Sequence, residues 1–215
     1  MDRKEKQMNF AKHLELRGKH AMLAPSQPHW LKYDEEQLFQ KFVSNHAQAM
    51  GTALHELAET LIKNGIKLKN SDKTVLLVHL LQNNIPRSAI DMDRLFDNFK
   101  AYVNDAIGFR LTPEQPLVYS EYCFGTADAI SFRNNKLRIH DYKSGTTPAK
   151  MEQLMVYAAL FCLEYKFKPG EIEIELRIYQ NDEVIFHNAT AEDIAPIMDT
   201  IIHQDKLVRE MYGEV

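Results

Sequence analysis

The sequence predicts an α/β fold in which a mixed central β-sheet is flanked by helices and preceded by a helical N-terminal region. Three observations lead to this fold class. Apolar residues recur at helical spacing through much of the first 110 residues. Short apolar runs of strand type follow between residues 117 and 140. A long apolar helix then precedes a strongly alternating strand, so that strands and helices share the second half of the chain.

Three helices are expected in the first half of the chain. The first covers residues 34–64, where apolar side chains recur every three or four positions. Two more are expected at about 71–83 and 91–107, because Ser71 and Asp91 are residues that favour the N-cap of a helix.

Strands and helices alternate in the second half. Strand-type runs at 117–140 precede a helix at about 148–165, which starts at a proline and ends before a Pro-Gly pair. Residues 171–180 alternate strictly between polar and apolar, and an Asn-Asp pair would turn this strand back into a second one at 183–188. A last helix is expected at about 193–212.

A single domain, 1–215, is expected because no repeat, low-complexity segment or long linker interrupts the chain. It would consist of a mostly helical part at 1–110, an α/β core at 115–190 and a C-terminal helix at 191–215. No apolar run approaches the ~18 residues that span a bilayer, and the N-terminus lacks the apolar core of a secretory signal. A cytoplasmic protein is therefore expected.

The composition excludes several classes of protein. Only two cysteines occur, without metal-binding spacing, which argues against a disulfide framework, a zinc ribbon and a four-cysteine iron–sulfur cluster. The formal net charge of -4 gives no general basic signature. Any contact with nucleic acid would therefore depend on a local basic patch or a bound cation.

Two aspartates interrupt neighbouring apolar strands in the second half of the chain. Asparagine tolerates the positive φ of tight primed turns, so Asn134 and Asn135 predict a two-residue hairpin loop. Counting outward from this loop places Asp128 directly opposite Asp141, with Cβ atoms ~4.5–5.5 Å apart. Lys143 follows on the same face, since side chains alternate with a period of two.

Two carboxylates beside one ammonium group suit Mg²⁺ or Mn²⁺, which prefer oxygen ligands and keep several waters. Such a cation activates a bound water and offsets charge on a phosphate, and Lys143 can orient that water or stabilise the oxyanion. Glu121 would join the same face if Phe124 and Gly125 formed a second tight turn. The structural alternative is that Asp128 closes a turn and Asp141 pairs with Lys143 or an arginine at the surface.

Four short motifs lie in order on the predicted first helix, a strand, the next strand and the following helix. They are Gly51-x-x-x-His55, Gly125-x-x-Asp128, Asp141-x-Lys143 and Gln153-x-x-x-Tyr157. In order and approximate spacing they resemble the RecB-like branch of the PD-(D/E)xK nuclease superfamily, over about half of the chain. The segment LAPSQPHWL also resembles the N-terminal region of phage-encoded members of this branch. The resemblance implies a restriction-endonuclease-like core.

The resemblance also implies a role for the matching residues at the hairpin and on the first helix. His55, Asp128 and Asp141 would be ligands of Mg²⁺ or Mn²⁺, and the main-chain carbonyl of Tyr142 would complete the shell. Lys143 would be the catalytic lysine. Taken without the other motifs, His55 is a lone histidine on an amphipathic helix, which is usually structural.

Supporting roles follow for three further side chains. By resemblance, Gln153 and Tyr157 would contact DNA or brace the metal centre, and the alternative is a polar stripe on a core helix. Glu59 lies four residues after His55 and so on the same helix face. It would orient the imidazole, as metal-binding histidines usually need, or remain solvated.

The function that these residues imply is metal-dependent hydrolysis of DNA, by an exonuclease of recombination, repair or phage DNA metabolism that leaves 5′-phosphates. A structure-specific or nicking endonuclease, and a binding module without turnover, are the alternatives. The chain lacks the four cysteines of the iron–sulfur members and has no room for a helicase, which favours a stand-alone nuclease. DNA and a single-strand annealing or single-strand-binding protein would be the partners, in the cytoplasm of the cell or, for a phage protein, of the host.

Overall fold

A computed structural model describes residues 21–213 of the chain. It confirms the α/β fold class, because a five-stranded mixed sheet is flanked by helices. By packing, the chain falls into two compact units, Met1–Asn45 and His46–Val215. The single domain expected from the sequence stays a prediction, and the helical character expected for residues 1–20 lies outside the described residues.

Helix α1 (Glu35–Lys63) begins with a reciprocal pair of hydrogen bonds. The Gln37 N–H donates to the Asp34 carboxylate at 2.8 Å, and the Asp34 N–H donates to the Gln37 side chain at 3.1 Å. This arrangement satisfies two of the N–H groups that a helix leaves open at its start. The predicted first helix is therefore present, with ends that differ by one residue.

Helices α2 (Lys73–Gln82) and α3 (Met92–Gly108) correspond to the other two helices predicted for the first half. The Asp91 carboxylate accepts a hydrogen bond from the N–H of Arg94 at 3.2 Å, so Asp91 caps α3 as the sequence predicts. Ser71 does not cap α2, because it lies in a short 3₁₀ turn that precedes the helix.

The sheet lies in the second unit. Its strands are β1 (Thr112–Ser120), β2 (Cys123–Arg133), β3 (Lys136–Tyr142), β4 (Glu173–Gln180) and β5 (Glu183–Ala189). They lie side by side in chain order, with β3 and β4 parallel and the other neighbouring pairs antiparallel. A parallel pair needs a crossover, which helix α4 (Glu152–Tyr165) supplies. The sequence predicts a start at about residue 148, but the helix begins at Glu152. Residue 149 still belongs to the preceding loop, where its N–H donates to the Gln180 side chain.

Both predicted asparagine turns are present. Asn134 and Asn135 adopt φ values of 50° and 61°, and Arg133 pairs with Lys136. Asn181 and Asp182 join β4 to β5 in the same manner, with φ values of 51° and 60°. These turns fix the strand registers on both sides of the parallel pair.

The turn between β1 and β2 differs from the prediction. It lies at residues 121 and 122, where Ser120 pairs with Cys123, and Phe124 and Gly125 are inside strand β2. A tight turn at Phe124 would have required positive φ at an aromatic residue, which is unfavourable. The expected register is therefore wrong, and Glu121 lies exposed in the turn rather than beside Asp128.

Helices cover both faces of the sheet. Helices α4 and α5 (Ala191–Tyr212) enclose a buried aliphatic cluster that includes Ile139 of β3. On the other face, the Tyr179 hydroxyl donates to Asp105 of α3 at 2.7 Å. Side chains alternate between the two faces along a strand, so Asp141 shares a face with Ile139. The predicted site therefore lies on the face of the sheet that α4 covers. None of the helices between residues 21 and 213 has both the length and the apolar character needed to cross a membrane.

Candidate metal centre

Asp128 and Asp141 meet at the end of the β2–β3 hairpin. The register pairs Ala129 with His140, and one step further from the turn it places Asp128 opposite Asp141. Beyond the effect of burial, the two carboxyl groups are close enough for the charge of Asp128 to raise the pKa of Asp141. Asp128 Oδ2 also accepts a hydrogen bond from the N–H of Tyr142 at 3.2 Å. The hairpin therefore brings the two predicted carboxylates together on one face.

His55 approaches the same place from helix α1. Its Nδ1 lies 3.5 Å from Asp128 Oδ2 and 3.8 Å from an oxygen of Glu114. One ligand atom from each of these three residues lies within 4.8 Å of the others. Metal–oxygen bonds of about 2.1 Å place ligand atoms up to about 4.2 Å apart around one ion, so small side-chain movements would bring the three round a cation.

A cavity of about 330 Å³ opens at this cluster. Its lining residues are all polar, and they are Thr52, His55, Glu56, Glu59, Glu114 and Asp128. A concave surface that carries several acidic side chains suits a cation better than an apolar ligand. The cluster is therefore open to an ion from solvent.

Glu114 is the residue that the sequence analysis missed. It lies in β1 between Pro113 and Pro116, with φ of +50°, an uncommon value for a residue other than glycine. Prolines argue against a central strand, which is why β1 was expected to start only near residue 117. They are tolerated here because β1 is an edge strand. Counting from the turn at residues 121 and 122 alone would set Gln115 opposite Asp128. A register shift between Val118 and Ser120 places Glu114 there instead, so the turn by itself does not find it.

The two aspartates are unfavourable as a charged pair. Burial raises the pKa of Asp128 to about 6 and that of Asp141 to about 7, and the Asp128 carboxylate adds to the shift at Asp141. Among the described residues, nothing donates a hydrogen bond to Asp141 Oδ2, although this atom is buried. A buried carboxylate oxygen without a partner is costly, and a bound cation would remove that cost.

Lys143 supplies an ammonium group that contacts Asp141. Its Nζ lies 2.9 Å from Asp141 Oδ1, and its N–H donates to the Tyr179 carbonyl at 3.1 Å as the strand ends. Burial alone would lower the pKa of Lys143, but the Asp141 carboxylate and its hydrogen bond raise it above the ordinary value. The side chain is 31% exposed, so a charged ammonium is accessible from solvent.

The surroundings of His55 favour the neutral form of its imidazole. Burial lowers its pKa, and Lys143 acts in the same direction against the opposing effect of Asp141. A neutral imidazole is the form that binds a metal. Glu59 lines the cavity, but its carboxylate accepts a hydrogen bond from Lys63 one turn along α1. The role expected for Glu59 in orienting His55 therefore stays a prediction.

The side chain of Tyr142 packs against helix α3. It is buried, and its hydroxyl donates to the Leu95 carbonyl of α3 at 3.4 Å. The ring also meets the His55 ring edge-on, with centroids 6.3 Å apart. The ring therefore supports the imidazole by packing, while the expected role of the Tyr142 carbonyl as a metal ligand stays a prediction.

Gln153 and Tyr157 lie one turn apart on helix α4. Gln153 donates a hydrogen bond to the Tyr157 hydroxyl at 3.3 Å, and the Tyr157 hydroxyl is close enough to Lys143 to affect its pKa. The Tyr157 ring lies on Gly125 of β2, where a Cβ atom would come within 3.0 Å of Cε1. The contact explains why the second motif begins with glycine. Whether this pair contacts DNA or braces the lysine stays a prediction.

The contact between Gly125 and Tyr157 gives a first testable prediction. Gly125→Ala should lower the free energy of unfolding by about 1 kcal/mol, because the added methyl group pushes the Tyr157 ring aside. Chemical denaturation measures this change. Gly108→Ala is the matched control, since a Cβ there meets nothing within 4 Å at the end of α3, and it should leave stability equal or higher. Equal stability of wild type and Gly125→Ala would contradict the packing described.

Fold and site together define an α/β protein with a histidine and acidic residues clustered at the end of a central β-hairpin. Over residues 20–199 the chain matches the model of the family described as protein of unknown function DUF2800. The match covers most of the chain, so the chain belongs to this family. No solved structure shows a significant match to it.

Proposed function

We propose that this protein is a divalent-metal-dependent deoxyribonuclease with a restriction-endonuclease-like core, acting as an exonuclease in recombination, repair or phage DNA metabolism. One observation carries the proposal. The buried carboxylate of Asp141 faces the partly buried carboxylate of Asp128 and contacts the Lys143 ammonium, and an oxygen of Asp141 lacks a hydrogen-bond donor among the described residues. Without a cation this arrangement costs free energy, because carboxylates lie close together in a buried place. Groups with raised pKa values of this kind are common where an enzyme binds a metal.

The residues present fit Mg²⁺ or Mn²⁺. His55, Glu114 and Asp128, whose ligand atoms lie together, would hold the ion. Asp141 lies outside this cluster and would join it as a fourth ligand from its place opposite Asp128. Carboxylate oxygens are the ligands that both metals prefer, while the imidazole is more favourable for Mn²⁺. Three carboxylates around a neutral imidazole carry up to three negative charges. A divalent cation and the Lys143 ammonium would together balance them. The charge balance therefore supports a divalent ion.

The side chains around the carboxylates suit hydrolysis of a phosphodiester. When bound, the cation would lower the pKa of a coordinated water and neutralise charge on the phosphate. The Lys143 ammonium, held by Asp141 and open to solvent, can donate hydrogen bonds to a phosphate oxygen as negative charge develops there. Asp128 and Asp141 anchor the site on a short hairpin, whose register leaves little freedom to move.

Cleavage assays on linear and circular plasmid DNA with Mn²⁺ or Mg²⁺ test this proposal. We expect linear DNA to be degraded from its ends, covalently closed circles to stay intact, and EDTA to stop the reaction. Asp141→Ala and Lys143→Ala should each lose at least about 100-fold in rate. Asp199→Ala and Lys206→Ala, which make the same charge changes at exposed positions of α5, should retain activity.

The other outcomes separate the alternatives. Nicking or linearisation of circles would identify an endonuclease that uses the same residues. Binding of DNA without cleavage under either metal would identify a module without turnover. Unchanged rates in both Asp141→Ala and Lys143→Ala would refute the metal centre itself.

A further inference from the structure

The loop that directly follows Lys143 is held by its carbonyl groups. Four successive carbonyls, from residue 144 to residue 147, accept hydrogen bonds from side chains of α3, β4 and the β4–β5 turn. The bonds are Arg94 Nη1 to Ser144 O (2.6 Å), Gln180 Nε2 to Gly145 O (2.7 Å) and Thr147 O (2.9 Å), and Asn181 Nδ2 to Thr146 O (3.2 Å). The loop is therefore fixed although it contains no helix or strand.

The side chains that hold this loop are themselves fixed. Gln180 is buried at the end of β4, and its side-chain oxygen Oε1 accepts a hydrogen bond from the N–H of Ala149 at 2.8 Å. Asn181 belongs to the tight β4–β5 turn. Asn98 of α3 holds that turn, because it accepts from the N–H of Asp182 at 2.6 Å and donates to the carbonyl of residue 183 at 2.8 Å.

Fixed carbonyls decide where the N–H groups point. In a trans peptide the N–H points opposite to the carbonyl of the preceding residue, and all described peptide bonds are trans. The N–H groups of Gly145, Thr146 and Thr147 therefore point away from the side chains that bind the carbonyls. These three residues are exposed, and none of the described residues accepts a hydrogen bond from their N–H groups.

Successive N–H groups that face solvent form a binding site for anions. Here they are joined by the hydroxyls of Ser144, Thr146 and Thr147 and by the ammonium of Lys143 at the start of the loop. Residues 144–147 contain no acidic side chain. Gly51 of α1 lies beside this loop, because a Cβ built there would be 3.7 Å from Ser144 Oγ. The loop thus presents hydrogen-bond donors and no negative charge, next to the proposed reaction centre.

We propose that residues 144–147 form a phosphate-binding loop that holds a phosphodiester of the DNA backbone next to the one at Lys143. This inference rests on the proposed function and adds a substrate-positioning element to it. Backbone N–H groups commonly bind DNA phosphates and set the register of the protein on the strand. A fixed loop loses little entropy when the phosphate binds, which favours accurate placement of the neighbouring bond.

Amide NMR of the full chain in EDTA tests this inference, with inorganic phosphate and a single-stranded oligonucleotide as separate probes. We expect both to shift the N–H resonances of Gly145, Thr146 and Thr147 in a saturable manner. Asn181→Gly removes one loop contact and keeps the positive φ of the turn, and it should weaken both interactions about three- to tenfold. Asn134→Gly, at an equivalent position of the β2–β3 turn, is the matched control and should have no effect.

The possible outcomes distinguish an error in the phosphate-binding loop proposal from an error in the nuclease proposal. DNA binding or cleavage without any shift at residues 145–147 would overturn the phosphate-binding loop and leave the nuclease proposal intact. Shifts with inorganic phosphate, in a protein that neither binds nor cleaves DNA, would overturn DNA as the ligand and also the proposed function. Equal effects of Asn181→Gly and Asn134→Gly would show that the loop contacts do not position the anion.

Discussion

Replacing Asp141 by asparagine is expected to abolish DNA cleavage and, in EDTA, to raise the free energy of unfolding at neutral pH by about 1–3 kcal/mol. Cleavage fails because the cation loses a ligand. Stability rises because burial opposes the charge of Asp141, and the nearby Asp128 carboxylate adds to this cost. Loss of the bond to Lys143 offsets part of the gain, but Lys143 is partly exposed, so the bond contributes less.

The pH dependence of this gain follows from the pKa. Asp141 has a pKa of about 7 in the folded protein, against an ordinary value of 3.8. Between these values the folded state keeps a proton that the unfolded state has lost, so the wild type loses stability as the pH rises towards 7. Asparagine does not ionise. The difference in stability between variant and wild type should therefore be small near pH 4 and largest above pH 7.

Denaturation of both proteins in EDTA across this pH range measures the difference. Groups that titrate elsewhere, such as the buried His140 with a pKa of about 3, affect both proteins alike and cancel. Asp199→Asn, which removes an exposed carboxylate of α5, should show no such rise with pH. Adding Mn²⁺ should stabilise the wild type by about 2.7 kcal/mol at 100 times its dissociation constant, and it should stabilise the variant less at the same concentration. A variant less stable than the wild type at pH 8 in EDTA would contradict the repulsion described.

The hairpin at the centre of the site could be predicted because its register depends on local information. Asn134 and Asn135 define the turn, and the turn alone sets which residues face each other along both strands. Counting residues outward from this turn along both strands was therefore enough to predict that Asp128 and Asp141 lie opposite each other. The start of helix α3 could also be predicted, because Asp91 caps the helix through a hydrogen bond to a residue only three positions away.

Glu114 could not be placed by the same reasoning, because its position depends on a turn with no clear sequence signal and on a register shift between Val118 and Ser120. Residues 121 and 122 carry neither glycine nor asparagine, whereas Gly125 nearby suggested a turn that does not exist. Gly125 is instead required by the Tyr157 ring, a contact between residues distant in sequence. The direction of the N–H groups of residues 145–147 could not be predicted either, since it depends on side chains from three other elements.

Replacing Lys143 by methionine is expected to separate turnover from metal binding. Methionine keeps an unbranched apolar stem but removes the ammonium that contacts Asp141 at 2.9 Å. Turnover should fall by about 100- to 10,000-fold, because no charged donor then stabilises the phosphate oxygen. Affinity for Mn²⁺ should stay equal or increase, since the cation no longer competes with the ammonium for Asp141.

Calorimetric titration with Mn²⁺ and single-turnover cleavage of linear DNA measure the two quantities on the same protein. Lys63→Met is the matched control, because Lys63 pairs with Glu59 at the rim of the same cavity and does not contact Asp141. It makes the same charge change nearby and should leave turnover within about twofold, as expected for an exposed pair. Equal losses in the two variants would show that Lys143 acts only through the net charge of the cavity. A loss of Mn²⁺ affinity in Lys143→Met as large as in Asp141→Asn would show that the lysine holds the carboxylates in place and takes no part in the reaction.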